Sequence, residues 1–283
     1  MLKSSPPKHL MDPQNNMEHE AKMYLSHAKT LRLHTGNIVN RSRLKKKCPC
    51  SPSEELQDCI QAALSDWKAA TKPPSNKDFP DTLDCSIPQP TDAIPPEERE
   101  ELRVSVKLFL CEAGESSIRD AVEMVCQTLA VSQLDSVIIA PTWPLAEGEN
   151  QSLAYLKPAW EELESLVRSQ RIAAIGTSDL DKDLLEQLYT WAQVKPSSNQ
   201  VNLASCCVMP ADLTAFAKEF DIQLLTHNDP KELMSAATFQ EAVQDLSAAI
   251  WRLEWVLRYS IIVKSRGIIK AKGYLVSAGK GSQ

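Results

Sequence analysis

Apolar residues recur along the chain in two rhythms that separate near residue 100. Ahead of that point, residues 53–70 (SEELQDCIQAALSDWKAA) place Leu56, Cys59, Ile60, Ala63, Leu64 and Trp67 at three-and-four spacing, with Ser53 able to cap. This predicts an amphipathic helix facing a core. Beyond it, apolar runs at 104–111 (VSVKLFLC), 134–140 (LDSVIIA), 172–176 (IAAIG), 199–203 (NQVNL), 222–226 (IQLLT) and 259–264 (YSIIVK) alternate with helical patterns over 117–130, 158–170, 181–193 and 211–220. Strand and helix in alternation, with strands apolar on both faces, mark a parallel sheet covered by helices. Six such strands between residues 104 and 264 favour an α/β, (β/α)8 TIM-barrel-like closure over a flat doubly wound sheet. No G-x-G-x-x-G follows any strand, which weakens a dinucleotide-binding Rossmann reading, and no internal repeat is visible.

Proline sets the boundaries. Twelve of the 18 prolines lie at or before Pro96, paired as Pro73/Pro74, Pro88/Pro90 and Pro95/Pro96, which neither a continuous helix nor a central strand tolerates. Residues 72–96 are therefore expected to form a long loop, residues 1–22 a mobile polar tail, and residues 23–283 one barrel-like domain that includes the loop.

Composition narrows the function. With 43% hydrophobic and 24% charged residues the chain can bury a real core. Its net charge of −6 argues against nonspecific binding to nucleic acid or to an anionic membrane. No apolar stretch approaches the roughly 20 residues of a membrane-spanning helix. The N-terminus lacks the apolar core of a secretory signal, so a cytosolic location and eight reduced cysteines are expected. The run RSRLKKKCPC (41–50) reads as a solvated charge run. Cys48, Cys50 and Cys59 have no fourth ligand at standard spacing, so no metal site is assigned.

Two resemblances appear. The stretch AWEELESLVRSQRIAAIGTSDL (159–180) resembles the aldo-keto reductases, in which a helix with a basic end leads into an R-x-I-G-V-S-N-F strand. NQVNL (199–203), FAKEFDIQLLTH (216–227) and LRYSIIVKSRGIIK (257–270) continue that likeness in order. A narrower likeness joins LRLHTGN (31–37), SEELQDCI (53–60), SQLDSVIIA (132–140), IGTSDLDK (175–182), NQVNLASCCVMP (199–210), TAFAKEFDIQLLTHNDPKEL (214–233) and YSIIVKSRGIIKAKGY (259–274). Together these segments are similar to the modifier (regulatory) subunits of glutamate–cysteine ligase. Residues 242–258 depart from that pattern and are shortened before the last strand.

The reductase resemblance can be tested for catalysis. The family needs a tyrosine acid, a lysine and an aspartate that depress its pKa, and a histidine that orients the carbonyl. No tyrosine occurs between Tyr24 and Tyr155. Glu112 and Ala113 stand where the lysine is expected at the end of the third strand, and Ala140 and Pro141 where the histidine is expected. Four histidines (His9, His19, His27, His34) fall in the tail or first helix, leaving His227 at a strand end as a structural hydrogen-bonding residue. No catalytic residue is assigned.

The remaining candidates concern binding. Lys264, Ser265 and Lys270 fall on the family's site for the 2′-phosphate of NADP, and Ser178 and Gln200 on positions that hold the nicotinamide amide. The resemblance thus allows NADP(H) without requiring it, although Asp179 replaces the family's asparagine. Cys206 and Cys207 follow a strand at the face where barrel loops carry function, either as a conditional thiol contact with a partner or as two small buried residues. The regulatory-subunit resemblance implies a heterodimer with the glutamate–cysteine ligase catalytic subunit. Its expected effects are better turnover and substrate affinity and relief of glutathione inhibition, with the C-terminal half the preferred docking region.

Overall fold

The expected runs and patterns become strands and helices in a computed structural model that describes residues 21–39, 51–70, 79–86, 92–111, 116–140, 152–203, 208–244 and 249–281. The basic run 41–50 and the pair Cys206/Cys207 lie outside the described residues. Five parallel strands, β3 (Leu102–Leu110), β4 (Leu134–Ala140), β5 (Ile172–Ser178), β6 (Ser198–Asn202) and β7 (Gln223–His227), are each followed by a helix. The helices are α3 (Ser116–Leu129), α4 (Leu153–Arg168), α5 (Lys182–Trp191), α6 (Ala211–Glu219) and α7 (Ala236–Val243). This is the expected α/β alternation of parallel strand and helix, and most boundaries lie within a few residues of expectation.

Helix α4 is the exception at its start. Pro158 suggested a first helical position, yet the helix begins at Leu153, where the Ser152 side chain accepts the Ala154 amide. The extra turn buries Leu153 and Leu156, which offsets the backbone bond that proline cannot donate.

The remaining strands extend the sheet from the other side of β3. β1 (Thr30–His34), β2 (Thr82–Asp84), β8 (Trp251–Val263) and β9 (Ile268–Lys280) complete the order β2-β1-β9-β8-β3-β4-β5-β6-β7. β8 runs antiparallel to β3 and to β9, so the 259–264 run is not another parallel strand beyond β7 but the far end of a long hairpin. Among the described residues β2 and β7 end the series and share no ladder. The proline-rich loop holds β2 and leads into a 3-10 helix at Pro96–Glu101.

Two apolar layers sandwich the sheet. Helices α3 to α6 pack over one face with Val104, Val106, Leu108, Val137, Ile139, Leu257 and Leu275. A helix α1 over residues 21–27, helix α2 (Pro52–Ala70) and α7 cover the other with Leu31, Leu33, Phe109, Trp251, Leu253, Val256 and Val276. Strand β8 serves both layers on its two faces, and a bulge between Leu253 and Trp255 inserts Glu254 and switches the alternation. Trp251, Leu253 and Val256 thereby share one face, while Trp255, Leu257, Tyr259 and Ile261 share the other. At Gly273 on β9 a Cβ would come within 2.5 Å of the Gly36 carbonyl oxygen, so only glycine allows β1's outgoing chain to pass this closely.

Candidate functional site

The C-terminal ends of β5, β6 and β7 bring Ser178, Gln200 and His227 to one end of the sheet. Opposite them, on the α2-side face, stand Lys107 of β3 and Arg258 of β8, which are cross-strand partners. Neither cation occupies that face alone. Asp229, two residues past His227 and only 2% exposed, accepts Lys107 Nζ at 2.8 Å and both guanidinium arms of Arg258 at 2.6 and 2.9 Å. A lysine buried in an apolar strand requires such a counterion.

His227 joins this pair to a second carboxylate. Its Nε2 lies 2.9 Å from Asp179 Oδ1, and its Nδ1 lies 3.1 Å from the Asp229 amide nitrogen and 3.4 Å from Asp229 Oδ2. In the neutral ring Nδ1 accepts from the amide; in the imidazolium it donates to the carboxylate. Asp179 adopts φ +61°, a left-handed conformation that non-glycine residues rarely take. It is held there because its amide donates to the Gln200 carbonyl at 2.7 Å and its carboxylate accepts the Asn202 amide at 2.9 Å and the Ser178 hydroxyl at 3.2 Å. The aspartate that departs from the reductase pattern is therefore the histidine's ion-pair partner.

Burial raises the Asp229 carboxyl, but hydrogen bonds from His227 and Arg258 and the charges of Arg258 and Lys107 outweigh it and hold it far below the ordinary carboxylate range. Burial lowers His227, and its bonds to Asp179 and Asp229 overcome that, so its pKa is raised. Burial dominates at Lys107, whose pKa falls despite Asp229. These directions fix a pH response. Asp229's contribution is present above its unfolded value of 3.8 and lost as pH falls through its depressed pKa. His227's is full below 6.5 and lost as pH rises through its raised value. The network is therefore expected to stabilise most between about pH 4 and 6.5. Denaturant midpoints taken across pH 5 to 9 should fall more steeply for the natural chain than for His227→Asn; parallel curves would remove histidine from the account.

A second tie closes the site. Glu55, in the first turn of α2, accepts Lys272 Nζ at 2.5 Å and the Tyr274 hydroxyl at 2.6 Å, fastening α2 to β9. Tyr274 does not resemble a reductase acid. Burial pushes its hydroxyl far above the ordinary phenol range, the opposite of what proton donation at neutral pH needs. Between α2's N-terminal turn and the ends of β6 and β7 lies an open cleft of about 360 Å³, with Glu55, Gln200, Thr226, His227, Arg258 and Lys272 in its wall.

The five residues expected around NADP(H) do not form one site. Ser178 and Gln200 pair with each other at the C-terminal end of the parallel strands, and the Ser178 hydroxyl is engaged with Asp179. Lys264 and Ser265 lie in the β8–β9 turn and Lys270 at the start of β9, beside the N-terminal end of β3, since Val263 pairs with Leu102. There Lys264 Nζ donates to the Glu100 carbonyl at 2.9 Å and Lys270 pairs with Glu98. Barrel ligands gather at the C-terminal face, and the reversed direction of β8 carries the basic turn to the other end.

Sequence reasoning missed the ion network. It sought a lysine at Glu112 or Ala113, whereas Lys107 stands five positions before Glu112. The charged residues inside VSVKLFLC and WVLRYSII were the available signal, because a charge in a buried strand demands a partner. It also misplaced His34, which lies buried in β1 with Nε2 3.5 Å from the Tyr259 hydroxyl and 3.9 Å from Asp92. Its expectation for His227, a structural hydrogen-bonding role, matches the two carboxylates that hold the ring.

The family model for the aldo/keto reductase family matches residues 91–229. The glutamate–cysteine ligase regulatory subunit of Homo sapiens is 61% identical over 263 residues, spanning 91% of this chain and 96% of that protein. The Rattus norvegicus regulatory subunit is 60% identical over 264 residues, with the same coverage. Among solved structures, an aldo-keto reductase of the silkworm Bombyx mori covers 63% of this chain and 46% of that chain at 16% identity, with a TM-score of 0.36. The chain thus resembles the aldo/keto reductase family over residues 91–229, just under half of its length. It belongs to the glutamate–cysteine ligase regulatory subunit family, whose members named above are regulatory rather than catalytic proteins. Among the described residues no helix is long and apolar enough to cross a membrane.

Proposed function

We propose that this chain acts in the cytosol by binding the catalytic subunit of glutamate–cysteine ligase as a heterodimer. In that complex it raises turnover and substrate affinity and relieves inhibition by glutathione. The observation that carries this reading is identity of 61% across 96% of a regulatory subunit's length, which leaves little room for a change of role. The site supports it: the cations at the sheet end are committed to carboxylates, and the Tyr274 hydroxyl is tied to Glu55. Regulation of this kind is a coupling free energy of about 1–3 kcal/mol, arising because the subunit binds the partner's active state better than its inactive one.

The decisive measurement is titration of the purified chain into isolated catalytic subunit at fixed glutathione. A saturable rise in ligase rate of roughly 5- to 150-fold at subsaturating substrate corresponds to that coupling. An unchanged rate and unchanged glutathione inhibition would overturn the reading. Steady consumption of NADPH with an aldehyde panel would overturn its non-catalytic part.

A further inference from the structure

We propose that the cleft between the N-terminal turn of α2 and the ends of β6 and β7 binds a small carboxylate that carries an N–H on the neighbouring carbon, as in an N-acylated amino acid or a peptide C-terminus. The site is independent of the regulatory reading, because binding is measured on this chain alone.

The first argument is the layering of charge. Arg258, Lys272 and His227 stand in the cleft wall, with the Arg258 and Lys272 side chains 17% and 25% exposed. The carboxylate that balances Arg258 and Lys107 is set behind that wall: Asp229 is 2% exposed and does not line the cleft. Glu55 is the acid in the lining, and it is engaged by Lys272 and Tyr274. The surface presented to a ligand is therefore cationic, although the whole cluster is close to balanced. Of the five guanidinium donors on Arg258, Asp229 takes two and the Tyr274 hydroxyl engages the group as well. A planar fork of this kind suits a carboxylate.

Helix α2 adds to the same field. Ser51 and Pro52 at its N-terminal end line the cleft, and the helix is 19 residues long, so the positive end of its dipole faces the space.

The second argument distinguishes a carboxylate with an attached donor from a bare anion. Gln200 belongs to the cleft wall, and its buried Oε1 has no hydrogen-bond partner among the described residues. A buried acceptor left unmet is destabilising, and a ligand N–H that reached it would relieve that. An acceptor is a poorer neighbour for phosphate, whose oxygens mostly accept and of which only the P–OH can donate. The volume of about 360 Å³ lies at the small end of ligand clefts, which suits an amino-acid-sized molecule.

The test is saturation-transfer NMR and calorimetry on the full chain with N-acetyl-L-alanine. Its N-methylamide, which lacks the carboxylate, serves as one comparison; acetate, which lacks the N–H, and inorganic phosphate are the others. The acid is expected to bind saturably and more tightly than any of the three. Thr226 is an exposed cleft residue, and Thr226→Glu places a carboxylate in the wall without touching the core. It should weaken binding of the acid about tenfold by charge repulsion, while Thr226→Ser should leave it intact. If Thr226→Glu does not fold, Lys272→Gln provides the same comparison. Failure of N-acetyl-L-alanine to saturate, equal binding of its N-methylamide, tighter binding of phosphate, or insensitivity to the folded variant would each overturn the proposal.

Discussion

Replacing Asp229 by asparagine is expected to destabilise the protein by about 3–5 kcal/mol. The reason is geometric. Asp229 holds three hydrogen bonds from two cations, at 2.6, 2.8 and 2.9 Å, and it is 2% exposed. Asparagine removes the negative charge while leaving Lys107 and Arg258 in place, and its amide must turn a donor toward one of them. Two desolvated cations then face each other across paired strands. Lys107→Met should cost less, because Asp229 keeps both Arg258 bonds and an ammonium no longer has to be buried. Asp179→Asn should also cost less, since that side chain is 45% exposed and water can replace what is lost. Urea unfolding of the three variants at pH 7 gives the ranking. An Asp229→Asn loss under about 1 kcal/mol, or one smaller than that of Lys107→Met, would show that the network does not hold the sheet end as described.

Much of the fold was legible because it is written in local periodicity. Four of the five βα units follow from apolar runs and three-and-four spacing along the sequence; the helix of the fifth, α7, was not among the expected patterns. The end of strand β8 was legible as the 259–264 run, but its first half was not, for a reason the bulge supplies. Read with strict alternation, Trp251, Leu253 and Trp255 belong to one face, yet the inserted Glu254 sends Trp255 to the opposite layer. A strand that serves two cores on its two faces shows no alternation to find.

The site divides along the same line. Ser178 and Gln200 were found through the reductase resemblance, and His227 because it ends a readable strand; the sheet brings all three to one end. Lys264, Ser265 and Lys270 were read as part of the same place by analogy with a parallel last strand, and an antiparallel hairpin carries them to the other end of the sheet. Asp229 meets Lys107 across 122 positions and Arg258 across 29, separations at which no motif operates. Such pairings become visible only once the sheet order is known.

Trp160→Ala is expected to cost about 3–5 kcal/mol, and it tests the opposite layer from the charged site. Trp160 is fully buried among α4's core residues, so truncation opens a cavity that neighbouring helices can fill only in part. It also removes the indole N–H that donates to the Val194 carbonyl at 3.1 Å. One turn on, Glu164 accepts the amides of Gln193 and Val194 at 2.7 and 2.9 Å, so α4 holds the segment after α5 by both its donor and its acceptors. That segment feeds directly into β6 and thus sets the position of Gln200 in the cleft. Trp160→Phe keeps most of the volume and loses only the donor, so the difference between the two variants separates packing from the hydrogen bond. A loss below about 2 kcal/mol for the alanine variant would mean the layer relaxes around the cavity. If the chain works as a subunit, adding the catalytic partner should raise the variant's melting temperature, because a ligand that binds only the folded form opposes unfolding by mass action. An isolated-chain loss that saturating partner fails to offset would count against the heterodimer as well as against the packing account.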